Sequence, residues 1–226
     1  MNDLSVLIKV DQQLYVKNPD SSELGRKIIT HSIEMINELG FEKFTFKKLS
    51  TQIKSTESSV YRYFENKHQL LLYLASWYWN WIYYQIILAT INIDSVDVKL
   101  KRTIDILTRD TKEDKSISYI NEILLNGIII TESSKVIHTK NVDRENEIGC
   151  FESYKKVINK VADLILEVNP EFEYAHMLVT TVIEGAQQQQ YYINHLPSLT
   201  DNAKTEDTIA TFYNEMVFKM IKKNKL

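Results

Sequence analysis

Between His68 and Ile93 the chain runs 26 residues without one Asp, Glu, Lys or Arg, and this stretch holds all three tryptophans and four of the tyrosines. Such a run has two homes: a bilayer core, which takes about 20 apolar residues, or the centre of a helical protein. Gln69, Ser76, Asn80, Gln85, Thr90 and Asn92 punctuate it. Its aromatics crowd the middle, whereas membrane spans place Trp and Tyr at the two interfaces. The pattern therefore favours a buried core helix, and a membrane-associated chain stays as an alternative. Only five glycines and three prolines occur in 226 residues. Turn-rich sheet folds draw heavily on those two residues, so the expectation is an all-α protein with tight connections. The lone cysteine, Cys150, excludes an internal disulfide and a multi-cysteine zinc site, and suits a reducing compartment such as the cytoplasm. Met1 to Pro19 contains Asp3, Lys9, Asp11 and Lys17 and no continuous apolar run, so it does not read as a cleavable signal.

Ser5 to Val16 places β-branched residues on either side of Asp11-Gln12-Gln13, which predicts a short β-hairpin or an ordered arm. Ser22 then starts a helix, with Glu23 near the positive end of its dipole. Leu24, Ile28, Ile29, Ile33, Ile36 and Leu39 form its apolar stripe, and Gly40 sits where a left-handed C-cap belongs. Thr45 caps a short helix through Phe46, Leu49 and Ile53. After a break at Lys54-Ser55, Thr56 caps a second one, predicted over Glu57 to Phe64. Lys67 opens the long uncharged helix, to roughly Asn92. Two short helices joined by a tight turn, braced before and after, make a helix-turn-helix. Further helices are predicted over 96–108, 118–130, 151–168, 171–194 and 205–222, with a polar loop over 139–147.

Charge singles out the same region. From Lys43 to Lys67 six basic residues (Lys43, Lys47, Lys48, Lys54, Arg62, Lys67) oppose Glu57 and Glu65, a net charge of +4. The whole chain is −3, which leaves −7 for the remainder. Positive charge concentrated on a helix-turn-helix inside an acidic protein is the footprint of a DNA-contacting head.

Gly40-Phe41-Glu42-Lys43-Phe44-Thr45, Leu49-Ser50, Ser58-Ser59-Val60-Tyr61-Arg62-Tyr63-Phe64 and Asn66-Lys67-His68-Gln69-Leu70-Leu71 together resemble the TetR family of bacterial transcriptional regulators. The resemblance covers about Ser22 to Ile82. It implies an N-terminal arm over 1–21, a three-helix DNA-binding domain over 22–82 with its helix-turn-helix at about 45–64, and a C-terminal ligand-binding and dimerisation bundle over 83–226. It further implies that Thr56, Glu57, Ser58, Ser59, Tyr61 and Arg62 face the major groove, with Tyr61 on a phosphate, and that Thr45, Lys48 and Lys67 serve the DNA backbone. The chain departs from the family pattern at Lys54, where a glycine is common, at Ser55, where an apolar residue is common, and at Glu57, where a basic or neutral one is usual. An acid there repels phosphate or accepts from a cytosine amino group.

The resemblance also implies a homodimer on operator DNA, responding to a small, mostly apolar effector. Trp77, Trp81 and Tyr84 are candidates to wall an effector pocket, with Glu184 and Gln188 as polar partners from another helix. The same aromatics read equally well as plain core. The stripe Ile209, Phe212, Tyr213, Met216, Val217 and Met220 serves either a dimer interface or the core. No serine elbow, paired-acid motif or nucleotide loop points to catalysis, and the five histidines have no metal-ligand spacing. No cofactor is expected. The reading is a sequence-specific transcriptional regulator, foremost a repressor. The alternative is a helical interaction protein whose head no longer binds DNA.

Overall fold

A computed structural model of the chain describes residues 8–112, 119–201 and 208–222. It is helical throughout those residues, with no strand among them. Ten α-helices follow in order: α1 (Glu23–Leu39), α2 (Phe46–Gln52), α3 (Glu57–Tyr61), α4 (Lys67–Thr90), α5 (Val96–Thr108), α6 (Glu122–Ile137), α7 (Val142–Glu147), α8 (Glu152–Val168), α9 (Ala175–His195) and α10 (Thr208–Ile221). They divide into two compact units. One holds the described residues up to Asn80 and those between Thr111 and Ser153, and the other holds Trp81 to Asp110 and those from Tyr154 onward.

In the first unit α1 packs against α2 and α6, and α2 against α3. The N-cap of α1 forms as expected, the Ser22 side chain accepting from the Gly25 N–H at 3.1 Å. Gly40 ends the helix with φ +78°, a conformation that glycine adopts without the Cβ penalty. The core beneath the head is aromatic: Phe44, Phe64, Tyr73 and Trp77 are almost fully buried. Every residue from Leu71 to Tyr78 is buried, so α4 has no solvent face over two turns, as a helix apolar all round requires. No helix among the described residues is long and apolar enough to cross a membrane.

In the second unit α10 packs against α5 and α9, and α5 against α9. Asn214 Nδ2 donates to Asp105 at 2.8 Å, and Gln190 Nε2 donates to the carbonyls of Thr108 and Arg109 at 3.2 and 3.1 Å. The α10 stripe divides: Tyr213 and Val217 are buried, while Phe212 (56% exposed) and Met220 (52%) face outward.

Four expectations need correction. The described part of the arm is not a hairpin. Asp11 caps a single 3₁₀ turn at Gln12–Leu14, Leu14 is buried, and the Val16 N–H donates to the Tyr63 carbonyl at 2.8 Å. Helix α3 stops at Tyr61, because the Val60 carbonyl accepts from both Tyr63 and Phe64 N–H and tightens the chain into a turn. The sixth helix lies at 122–137 rather than 118–130. Finally, the predicted loop at 139–147 contains α7, held to α4 by Glu145, which receives His68 Nε2 at 2.8 Å. The last predicted helix begins at residues 205–207, which lie outside the described residues; the rest forms α10.

Candidate nucleic-acid interface

The turn between α2 and α3 is closed by two backbone bonds. Lys54 N–H donates to the Thr51 carbonyl at 3.2 Å and Ser55 N–H to the Ser50 carbonyl at 2.8 Å. That is the Schellman pattern, which needs a left-handed residue at its pivot. Lys54 occupies the pivot with φ +52°, where glycine fits without strain. The departure from the family pattern noted in the sequence thus falls on the one residue of the turn whose backbone disfavours a side chain.

Helix α3 starts from Thr56, whose hydroxyl accepts from the Ser59 N–H at 3.2 Å. The same oxygen shares hydrogen bonds with Ser58 Oγ at 2.9 Å and Ser59 Oγ at 2.8 Å. Three hydroxyls therefore sit together at the exposed start of the helix, with Glu57 partly exposed among them and Arg62 exposed just past its end. Tyr61 is 47% exposed, its ring edge-on to Phe46 at 5.1 Å between centroids. Val60, Tyr63 and Phe64 face inward and are buried. The inward set fixes the helix and the outward set is free to contact a partner. Thr56, Glu57, Ser58, Ser59, Tyr61 and Arg62 are thus brought onto one short element.

The supporting residues behave differently from one another. Thr45 caps α2, accepting from the Lys48 N–H at 3.2 Å. Lys48 Nζ donates to the Lys43 carbonyl at 2.8 Å, so part of its hydrogen-bonding capacity is used internally. Beside them a groove of about 530 Å³, lined by Met35, Thr45, Lys47, Lys48, Thr51 and Gln52, runs along α2. Lys67 is half-buried and does not present a free ammonium. It donates to the carbonyls of Phe41 at 3.0 Å and Glu42 at 3.2 Å, and lies 4.6 Å from the Phe41 ring centroid. Its charge clamps the α1–α2 loop. Lys43, Lys47, Lys54 and Arg62 are exposed and, among the described residues, make no hydrogen bond or ion pair through their charged groups.

Sequence reasoning missed the opposite side of that clamp. Glu132 on α6 is buried, accepts from the Phe41 N–H at 3.1 Å and pairs with Lys135 at 2.7 Å. Lys135 also reaches Glu42 at 3.1 Å. The hydrogen bond to Glu132 and, after it, that to Glu42 raise the Lys135 ammonium above its ordinary value. The signal for this is tertiary: Glu132 and Phe41 are 91 residues apart.

Of the candidate pocket residues, Trp77 and Trp81 are almost fully buried and Tyr84 is half-buried. Glu184 and Gln188 lie exposed on α9, on the face that also carries Met177 and Thr181. His176 has a plain structural partner, Asn159, at 3.1 Å. Among the described residues no group of three or more His, Cys, Asp or Glu could hold a metal ion.

Residues 28–74 match the family described as bacterial regulatory proteins, tetR family. The fold is similar to that of solved structures across nearly the whole chain. A structure of AibR in complex with isovaleryl coenzyme A and operator DNA superposes with a TM-score of 0.60 at 14% identity, covering 85% of this chain and 98% of that one. The fatty acid degradation regulator FadR from Bacillus halodurans does so with a TM-score of 0.60 at 14% identity, covering 92% and 96%. The superantigen PfiT gives 0.59 at 12% identity, covering 92% and 100%. Likeness at this level establishes the fold alone, and one fold carries several functions. No curated protein sequence matches the chain.

Proposed function

We propose, on the match of residues 28–74 to the family described as bacterial regulatory proteins, tetR family, that the chain is a sequence-specific transcriptional regulator, a repressor that releases operator DNA when a small organic effector binds. The observation that carries this reading is the outward face of α3 and its turn. Thr56, Ser58, Ser59, Tyr61 and Arg62 stand on a five-residue helix in a segment of net charge +4, within a chain of −3. Hydroxyls and a guanidinium of this kind read base edges and phosphates in the major groove. Glu57 accepts from a cytosine amino group, Lys43, Lys47 and Lys54 neutralise backbone phosphates, and Thr45 and Lys48 flank them. Lys67 acts indirectly, by fixing the loop before α2.

One recognition helix reads few base pairs, so a two-fold dimer on paired half-sites is the natural arrangement. The exposed faces of α9 (Met177, Thr181, Glu184, Gln188) and α10 (Phe212, Met220) are the surfaces we assign to pairing. The effector is assigned to the aromatic half of α4 in the second unit, Trp81 and Tyr84, whose walls suit a mostly apolar molecule. Two proteins of similar fold concern acyl chemistry of that kind: AibR, in complex with isovaleryl coenzyme A, and FadR, a fatty acid degradation regulator. In this reading the protein works in the bacterial cytoplasm and catalyses nothing.

The test is selection of duplexes from a random pool by the full chain, followed by anisotropy titration of the winners at two salt concentrations. Enrichment of an inverted repeat, bound with an affinity that falls steeply with salt and is lost in Arg62→Ala, is the expected result. No enrichment above the starting pool refutes the reading and favours the helical interaction protein instead.

A further inference from the structure

A cleft of about 260 Å³ opens between the N-terminal arm and α4, lined among others by Lys9, Gln12, Tyr15, Asn18, Asp20 and Tyr73. Its floor is Tyr73, which is 1% exposed and whose hydroxyl is buried without a hydrogen-bond partner. A buried phenol left unpaired is destabilising, and native interiors satisfy nearly all such groups. Of the residues that line the cleft, Tyr73 is thus the one with a buried polar atom left over for a guest to pair. Tyr15 packs edge-on to Tyr73 at 6.1 Å between centroids, so two aromatic rings face the same space.

The sign of the field decides what that partner is. Asp20 is the acidic group of the lining, and Tyr119 donates a hydrogen bond to its carboxylate. Asp20 contributes to raising the phenols of Tyr15, Tyr73 and Tyr119, in each case after burial, the larger cause; Asp11 adds to the effect on Tyr15. Two cations lie near. Lys9 is exposed at the rim, and Arg26 is exposed and spends one N–H on the Asp20 main-chain carbonyl at 2.8 Å. Both charges sit in solvent, where they are screened, while Asp20 and Tyr15 are only partly exposed and Tyr73 is buried. Aromatic rings beside a carboxylate are the chemistry that captures a protonated amine.

We propose that the cleft under the N-terminal arm is a binding site for a small organic ammonium ion, held by the Asp20 carboxylate and the ring faces of Tyr15 and Tyr73 and accepted by the Tyr73 hydroxyl. The site lies wholly within the first unit and is separate from the effector region assigned on α4, so it stands or falls independently of the regulatory reading. It also touches the head. Tyr73 meets Phe64 edge-on at 5.3 Å, and the arm's Val16 N–H is bound to Tyr63. An occupied cleft ties the arm to Tyr63 and Phe64, just past the end of α3.

Three probes with one ring separate the possibilities: benzylamine, benzyl alcohol and benzoate, each titrated by calorimetry into the full chain at pH 7. Benzylamine is expected to saturate with a Kd of about 1 mM or tighter, at least about tenfold ahead of the other two. Asp20→Asn, which keeps an acceptor for Tyr119, is expected to weaken it at least about tenfold. Lys9→Glu, an exposed rim change that does not threaten the fold, is expected to tighten it about two- to fivefold. Equal binding of all three probes marks an apolar cleft and overturns the proposal. A preference for benzoate does so as well, as does benzylamine binding that neither variant moves.

Discussion

The arm bears on the head through one glycine, and replacing that glycine separates packing from helix propensity by sign. Gly25 lies in the first turn of α1, where alanine is the better helix former by about 1 kcal/mol. A Cβ at this position, however, meets the main chain of Pro19, at 2.2 Å from its carbonyl oxygen, 2.6 Å from its Cα and 2.8 Å from its carbonyl carbon. Contacts that short oblige the Pro19 backbone to retreat by about an ångström, and no flexible side-chain tip is there to yield. Overpacking of this kind costs about 1–3 kcal/mol, and a rigid obstacle places it at the upper end. If the arm lifts instead, it forfeits burial of Leu14, worth about 1.5–3 kcal/mol, and the Val16–Tyr63 bond, worth about 1 kcal/mol. By either route Gly25→Ala is expected to lose about 2 kcal/mol net. In urea unfolding followed by circular dichroism the midpoint then falls by about 1 M at an m-value of about 2 kcal/mol/M, and the Val16 amide exchanges faster. A midpoint that rises, as propensity alone dictates, refutes the close approach of the arm and with it the cleft it roofs.

Four other outcomes follow from the head and its clamp. Lys54→Gly relieves a left-handed backbone worth about 1–2 kcal/mol against an unfolded-state entropy of about 0.4–1 kcal/mol. Stability is therefore expected to rise by about 0.5 kcal/mol, while the salt dependence of DNA affinity shrinks by roughly one counterion; a loss of stability in thermal unfolding contradicts the turn geometry. Lys67→Ala and Arg62→Ala should part company: the first lowers stability by about 1–2 kcal/mol through the lost carbonyl bonds and leaves the salt slope intact, whereas the second leaves stability within about 0.5 kcal/mol and weakens DNA binding. Glu132→Ala strands the Phe41 N–H and is expected to cost about 2–3 kcal/mol. Because the pair raises Lys135 above its ordinary value, its contribution is complete below about pH 10.4 and fades as pH climbs through the raised value, a loss visible in alkaline unfolding of the parent and smaller in the variant, which keeps Glu42 as a partner of Lys135. Burial pushes the Cys150 thiol up to about 11, so iodoacetamide at pH 8 should label it slowly in the native chain and rapidly in urea; fast native labelling contradicts its burial.

What the sequence made legible is what neighbours in sequence decide. Ser22, Thr45 and Thr56 each cap the helix predicted for them, because an N-cap bonds within three residues. Gly40 and Lys54 likewise mark their turns, since a positive φ is a property of one residue. Of the two conformations expected for Ser5 to Val16, the described residues from 8 onward take the ordered arm rather than the hairpin (residues 5–7 lie outside them), because a short segment takes its conformation from what it lies on. Here that is the Tyr63 carbonyl and the surface over Leu14. Helix α6 was placed too early for a related reason. It runs on past Ile130 because Glu132 is buried within the helix and satisfied by the Phe41 N–H and Lys135.

The same distinction governs the candidate site. Summing charge along 43–67 counts six cations as equivalent, but a cation's availability depends on carbonyls that periodicity does not see. Lys67 is taken by Phe41 and Glu42, which lie 26 and 25 residues before it, and Lys48 is partly taken by Lys43. Lys43, Lys47, Lys54 and Arg62 remain exposed and, among the described residues, without internal partners, in the same segment whose Thr56, Ser58 and Ser59 are exposed or partly exposed. The internal cations do not weaken the DNA reading; they sharpen it. Lys67 and Lys135 both hold the loop before α2, at 4.6 and 5.9 Å from the Phe41 ring centroid. A helix of five residues has too little intrinsic stability to hold its own orientation, so the orientation of α3 is set by that loop, by the Schellman turn at Lys54 and by the buried faces of Val60, Tyr63 and Phe64.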